Sequence, residues 1–595
     1  MLILGLSTFG QNPAACVLRD GRLVAFAEEE RFLRIKGATG RFPGRSLTYC
    51  LREAGATLDE VDAIAVGWNA EKYRWRMPLF FARSWWKHGR GAEGQSYGTI
   101  WKEIFDQQPA SIRHRLTLGL RGAGHGGRVP PIEFVTHHLA HAASTYYASG
   151  WDEAAILVFD GSGEERSTSF YSGQGREIRD RGHVDLPHSL GWFYAAITAY
   201  LGFLPYEEEG FTMGLAPYGR PRPEIEEKIA GLLRLEGDGL YSVDPGYTLL
   251  GRHSVNEHFA DRLVDLLGPP RLPGAPIEDR HRDVAFAAQR RLEEAALALV
   301  AHATESGRRR RLCLAGGVAL NCKMNGLIAR SGHVDAVFVQ PASHDAGTAL
   351  GAALWLSMQS GEDPRFATEH ALWGPSFPPA EVEKALKTAG LRYHEPPDIE
   401  ERAADAVSAG KVVAWFEGRM ETGPRALGAR SILADATSAA MKDRVNARVK
   451  FRDPWRPFCP SLTEEAAREL LECPKETRFM TVAYEVPDRH RGRIPSVIHV
   501  DGTTRPQTVS PRVQPRYHHL LERVGRNRGD AVVLNTSLNV KGEPIACTPN
   551  DALRCFFSSG IDALAIEGFW VEKSESSSPG PGAEPALTGG SRNIE

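Results

Sequence analysis

His137-His138-Leu139-Ala140-His141 is the stretch whose residue types and spacing most directly imply chemistry. In a helix, positions four apart share a face, so His137 and His141 present ring nitrogens to a single ion while His138 turns about 100° away. Farther along, Asp160 ends the apolar run Ala154-Ala155-Ile156-Leu157-Val158-Phe159, and Gly161 and Gly163 allow a sharp turn there. Two imidazoles and a carboxylate form a donor set for a divalent metal such as iron, zinc or nickel. The alternative is a polar helix face whose histidines bond only to backbone. Asp345 follows the strand pattern Val337-Phe338-Val339-Gln340 and precedes a helix read from Ala349 to Leu356, a junction suited to a fourth ligand.

A second constellation begins at Lys411. The apolar strand pattern ending at Phe416 leads into Glu417-Gly418-Arg419-Met420-Glu421-Thr422-Gly423-Pro424-Arg425-Ala426-Leu427-Gly428-Ala429-Arg430, a loop shaped by glycine and proline that carries three arginines. Lys450, Arg456, Arg505 and Asn535 follow. The arginine fork matches phosphate and carboxylate oxygens, and each charge-assisted bond contributes roughly 1.5–3 kcal/mol, so several converging groups would hold polyanions firmly. Surface ion pairing fits less well, because these cations follow apolar strands instead of facing carboxylates four residues away on helices.

The elements that must position these groups are legible as patterns. Residues 2–6, 13–18 and 22–28 read as three strands, and the pattern returns at 154–160, 167–172 and 177–179, so a three-strand hairpin unit occurs twice. Another strand, Leu312 to Ala315, runs into Gly316-Gly317, where backbone N–H groups would meet phosphate or ribose, with Asn321 just beyond. Duplicated units of this kind resemble the actin-like kinases and Hsp70. Between the copies, residues 68–128 are rich in aromatics (Trp68, Tyr73, Trp75, Phe80, Phe81, Trp85, Trp86, Trp101) and read either as helical core or as a lid or acceptor pocket. Proline and glycine between Pro364 and Pro379 predict a domain boundary, with helical periodicity resuming at Ala380.

Composition narrows the class. A chain of 595 residues exceeds what one core supports and predicts about two to four domains. With 42% hydrophobic residues and a net charge of -3, nothing suggests a nucleic-acid surface. No run approaches a membrane span, and Met1 to Leu6 lacks the preceding basic residues of a signal peptide, so it reads as a strand. Eight cysteines without a Cys-x-x-Cys pair predict reduced thiols. The expectation is a cytoplasmic enzyme, monomer or homodimer, with no nucleic-acid or membrane partner.

Taken together, HHLAHAASTYY, VFDGSGEE, MGLAPYG, AGGVALN, GRMETGPRALGARSILAD, WRPF, RPQTV and LNTSLN resemble the O-carbamoyltransferase family of nodulation, cephem and aminoglycoside enzymes, over about residues 1–573. The resemblance implies an α/β protein in two parts. Residues 1–365 would be an actin-like (duplicated ribonuclease-H-like) transfer domain similar to the threonylcarbamoyl transferase that acts on tRNA. Residues 366–573 would be an α/β twisted-sheet domain similar to the carbamoyl-adenylate-forming synthase, and 574–595 a disordered tail. It implies that carbamoyl phosphate and ATP, with Mg2+, give carbamoyl-adenylate in the second domain. The first domain then passes the carbamoyl group to a hydroxyl of a small natural product, such as an antibiotic precursor, and releases AMP.

Residue by residue, the resemblance implies His137, His141, Asp160 and Asp345 as ligands of a divalent ion, Fe(II). It implies Arg425, Arg430, Lys450, Arg456, Arg505 and Asn535 for carbamoyl phosphate and ATP, with Arg425, Lys450 and Arg456 catalytic alongside the two histidines. Gly161, Gly163, Gly316, Gly317 and Asn321 would hold the adenylate, and Gln11, Asn12, Glu28, Arg31 and Lys36 the acceptor. Two departures stand out. Gln11 replaces a histidine common in relatives and cannot act as a base, leaving His138 or the adenylate phosphate to take the acceptor proton. Phe211 stands where relatives often carry lysine. Among rival readings, tRNA threonylcarbamoylation fits the near-neutral charge less well, and hydrogenase maturation would bring Cys-x-x-Cys motifs. An actin-like kinase or a non-catalytic nucleotide-binding scaffold leaves the arginine loop without a role.

Overall fold

A computed structural model of the chain describes residues 1–80, 82, 104–248, 258–305, 307–471 and 477–573. The opening apolar runs pair as antiparallel hairpins: β1 (Leu2–Ser7), β2 (Ala14–Arg19) and β3 (Arg22–Glu28), the last two joined at Asp20-Gly21, where both residues have positive φ as a tight hairpin turn requires. β4 (Ala63–Val66) adds parallel to β1 and β5 (Ile132–Phe134) parallel to β4, giving the order β3-β2-β1-β4-β5. The second sheet repeats this plan. β6 (Glu153–Gly163), β7 (Arg166–Gln174) and β8 (Glu177–Asp185) form the hairpins. After a small ribbon of β9 (Leu233–Leu235) and β10 (Tyr241–Val243), β11 (Arg311–Ala315) and β12 (Ala336–Val339) join in parallel, in the order β12-β11-β6-β7-β8. Two mixed sheets of one topology make the duplicated, actin-like fold. β8 runs six residues beyond its expected end at 179 because its charged, largely exposed residues carry no apolar signal.

The third sheet has seven strands in the order β18-β15-β19-β14-β13-β20-β21. They are β13 (Val413–Phe416), β14 (Arg430–Asp435), β15 (Cys459–Thr463), β18 (Gln507–Val509), β19 (Val532–Ser537), β20 (Ala563–Ile566) and β21 (Phe569–Glu572); β16 (Tyr484–Glu485) and β17 (Thr503–Thr504) form a separate ribbon. Both faces are buried: Trp415, Leu433 and Val533 pack with Leu520 and Leu521 on one side, and Phe416, Ile432 and Leu534 with Phe556 on the other. The segment around the expected boundary at 364–379 bridges to both halves, Ala367 pairing with Ser149 and Leu372 with Glu421.

The histidines lie on the helix His137–Tyr146, which is pressed against the helix Ala346–Gln359. A Cβ at Gly351 would sit 1.7 Å from the Ala140 carbonyl oxygen, so only glycine permits this approach of the two backbones. No described helix is long and apolar enough to cross a membrane. The seven described cysteines are free and buried. Phe81, Trp85, Trp86, Trp101, Cys473 and the expected tail 574–595 lie outside the described residues.

Candidate functional site

One turn of helix, the end of β6 and the start of the Ala346–Gln359 helix bring the four expected donors together. Ligand atoms of His137, His141, Asp160 and Asp345 all lie within 4.8 Å of one another. Asp160 Oδ2 is 3.2 Å from Nε2 of each histidine, and Asp345 Oδ1 is 3.7 and 3.9 Å from them. Donors on one ion with bonds near 2.1 Å stand roughly 3.0–3.4 Å apart, so a small contraction would close the shell.

Their surroundings orient them for a cation. His137 Nδ1 lies 3.0 Å from the Gly67 carbonyl oxygen, which directs Nε2 at the carboxylates. Both ring nitrogens of His141 are buried without an aligned hydrogen-bond partner, although Nε2 faces Asp160. The Gly161 and Gly317 N–H groups donate to Asp160 Oδ1 at 2.7 and 3.1 Å, which leaves Oδ2 for the histidines. Asp345 occupies a helix N-cap position but makes no capping hydrogen bond, so its carboxylate is free to turn inward.

Electrostatics agree with the geometry. Burial opposes charge on His137, yet the hydrogen bond to Asp160 and the charge of Asp345 lift it to about 9. Burial and the charge of Asp160 raise Asp345, whereas the two imidazoles outweigh burial at Asp160 and hold its carboxyl well below the usual range. Three buried groups and the part-exposed Asp345 thus favour a cation among them, a role a divalent ion would fill.

Three neighbours of this site were missed by sequence reasoning or misplaced by it. Glu164 accepts from the backbone N–H of His137 (3.1 Å) and of Asn69 (2.7 Å), pinning the histidine helix at its N-terminus; its partners are tertiary and leave no local signal. His344 was hidden beside Asp345. His138 is fully buried, 2.8 Å from Ser169 Oγ, and burial and the charge of His137 push its pKa far down, so it is not a competent base.

The nucleotide and acceptor expectations need correction in part. Because Gly161 and Gly317 spend their N–H groups on Asp160, those donors do not face a ligand. The Gly316 N–H donates to the Ser343 carbonyl, and Gly163 packs over the rings of His137 and His138. Asn321 caps the Cys322–Arg330 helix and exchanges hydrogen bonds with Gln289. Of the acceptor candidates, Glu28 and Arg31 are 3% and 1% exposed and paired with each other, so neither reaches an acceptor. Gln11, bonded to Thr39 Oγ1, Asn12 with φ of 46° and the more exposed Lys36, 3.7 Å from Glu207, line the loops beside Gly10, where an added methyl would lie 3.9 Å from Asp345 Oδ2.

The arginine constellation also assembles, with a changed membership. Arg425 makes no hydrogen bond or ion pair among the described residues, and burial and the charge of Arg505 lower it to about 10. Arg505 Nε donates to the Cys459 thiol at 3.2 Å and the Cys322 thiol also acts on it, while Arg456 lies over the Phe211 ring, 3.7 Å from its centroid, with its pKa lowered by burial to about 10. Arg452, two positions after Lys450, joins them: burial and the charge of Arg456 depress it strongly. These guanidinium groups repel one another, with Glu208 and Asp453 the carboxylates that act on Arg456, and such a cluster is suited to binding an anion. Asn535 braces it by donating to the Ala426 carbonyl and Ser461 Oγ.

Arg430 is not part of the pocket. Fully buried, it donates to the carbonyls of Glu417, Gly418, Ala429 and Pro375 and stacks on Phe416, so it builds the loop instead of meeting a ligand. Arg430→Met is expected to destabilise the protein by about 3 kcal/mol, because it strands buried carbonyls; urea unfolding measures this.

Lys450 Nζ donates to the carbonyls of Ser537 and Asn539 and to Asn539 Oδ1, while burial and Arg452 bring its pKa from 10.5 to about 7. Between pH 7 and 10.5 the unfolded chain therefore holds a proton that the folded chain lacks, and this group makes stability rise with pH across that window. An anion bound nearby restores the charge. Pyrophosphate binding at pH 8 should accordingly take up a proton, read as a heat that changes with buffer ionisation enthalpy; buffer-independent heat would contradict it.

An actin-like α/β protein with a largely buried four-donor cluster, joined to a second α/β sheet that carries a cluster of arginines, is the class these features define. Family models described as Carbamoyltransferase N-terminus and Carbamoyltransferase C-terminus match residues 2–354 and 404–573. An uncharacterised protein of Synechocystis is 36% identical over 96% of this chain and 96% of its own length. Nodulation protein NolNO of Sinorhizobium fredii is 36% identical over 95% and 80%. The 3'-hydroxymethylcephem-O-carbamoyltransferase of Amycolatopsis lactamdurans is 34% identical over 44% of this chain and 49% of its own. The chain belongs to the carbamoyltransferase family, and it is a transferase.

Proposed function

We propose that this protein is an ATP-dependent O-carbamoyltransferase working in two steps. In residues 366–573, water cleaves carbamoyl phosphate to carbamate and phosphate, and the carbamate oxygen attacks the α-phosphorus of ATP, expelling pyrophosphate. In residues 1–365, a hydroxyl of a small molecule attacks the carbamoyl carbonyl and AMP leaves. The acceptor class follows the cephem relative, whose name gives a hydroxymethyl group as its target.

The observation that carries the reading is the coexistence in one chain of a cluster of mutually repelling arginines and a four-donor cation site. Arg425, Arg452, Arg456 and Arg505 would neutralise the phosphates of ATP and carbamoyl phosphate and hold them in line, and Lys450 would supply a further charge once an anion arrives. His137, His141, Asp160 and Asp345 fit a divalent ion, Fe(II), which when bound supplies Lewis acidity and charge neutralisation at the adenylate phosphate. With Gln11 unable to accept a proton and His138 buried and weakly basic, the departing phosphate takes the acceptor proton.

The test is formation of AMP and pyrophosphate from ATP. Dependence on carbamoyl phosphate is the expected result; ATP turnover indifferent to carbamoyl phosphate, or ADP as product, would overturn the reading.

A further inference from the structure

A buried line of polar groups joins the two constellations. Asp345 does not cap its helix: the Gly347 and Thr348 N–H groups go to the backbone carbonyls of His344 and Asp345, while Nδ1 of His344 accepts from the Ala346 N–H at 3.2 Å. With Nδ1 so engaged, the proton sits on Nε2, which lies 3.1 Å from Glu28 Oε1. Glu28 Oε2 accepts from Arg31 Nε and Nη2 at 3.2 and 2.8 Å, and Arg31 Nη2 also donates to the Gly423 carbonyl at 2.6 Å, two residues before Arg425. Gly423 has φ of +91°, and a Cβ there would come within 2.7 Å of the Pro341 carbonyl oxygen, in the loop leading to His344.

We propose that Glu28 and Arg31 are positioning residues shared by both sites, holding the loop of Arg425 and the ligand Asp345 in one register. This rests on the two-site reading above. His344 adjoins Asp345 and its ring is tied to the Ala346 N–H, so the position of that ring sets the backbone from which the Asp345 carboxylate turns toward the histidines. Glu28 fixes the His344 ring, and Arg31 ties the same carboxylate to the backbone of the arginine loop. A buried ion pair adds little net stability, but it holds geometry.

The experiment titrates the full-length protein with Zn(II), for the cation site, and with inorganic pyrophosphate, for the arginine pocket. Glu28→Gln, Arg31→Met and the double variant are compared with wild type. The double variant removes the buried pair together, so it leaves neither Glu28 nor Arg31 facing the other's vacancy; because Arg31 Nε also pairs with Glu30 Oε1 at 3.0 Å, melting is measured beside wild type to confirm the fold. Each variant should weaken both probes by about tenfold or more, the range seen when groups supporting metal ligands are lost, with the double no worse than the weaker single. A folded double variant binding both probes as wild type does would overturn the proposal. So would single variants that each affect only the nearer probe, with losses that multiply in the double. Wild-type protein binding neither probe would bring down the two-site reading itself, a different failure.

Discussion

Arg425→Ala lowers carbamoyl-phosphate-dependent pyrophosphate release by about 10³-fold, the scale on which an arginine that stabilises phosphoryl-transfer charge acts. The side chain has no protein partner among the described residues and is repelled by Arg505, so its removal relieves strain. The variant should therefore melt at or above the wild-type temperature while losing activity, the opposite of what removing a structural arginine such as Arg430 would do. Parallel melting and pyrophosphate assays separate the two cases. A variant with intact pyrophosphate release would show that anions bind elsewhere.

His141→Ala divides the steps in the other direction. Pyrophosphate release should stay within about threefold of wild type, while carbamoylated product falls by about 10³-fold or more, as expected when a site loses a ligand and with it the ion that stabilises developing charge. His141 is fully buried and its Nε2 faces Asp160 Oδ2 at 3.2 Å, so the variant gives up that one contact, and metal content measured on the purified protein should drop with product formation. If His141→Ala lost pyrophosphate release but kept its melting temperature, the assignment of activation to residues 366–573 would be wrong.

The donor quartet was legible because its signals are local. A four-residue spacing in a helix, an aspartate at a strand end and another at a strand-to-helix junction each follow from the period of the element that holds them. The duplicated hairpins were legible for the same reason. Arg430 and Arg425 lie in one glycine-rich loop, and nothing within that loop distinguishes a guanidinium spent on carbonyls from one left unpaired. Glu28 and Arg31 carried family expectations of acceptor contact, yet Arg31 closes on the carbonyl of Gly423, 392 residues away. Contacts at that separation are set by how the sheets pack, and no window of sequence contains them.

Arg456 rests on Phe211, a residue of the actin-like half, while Trp455 beside it packs against Phe203 and Phe211 of that half. The pocket is therefore not owned by the sheet that supplies its charges. Cut near residue 365, the C-terminal fragment would keep every arginine but present Arg456 to water with no ring beneath it. In this chain the actin-like half contributes the ring beneath Arg456, so the two halves share one side-chain cluster and are more than units joined by a tether.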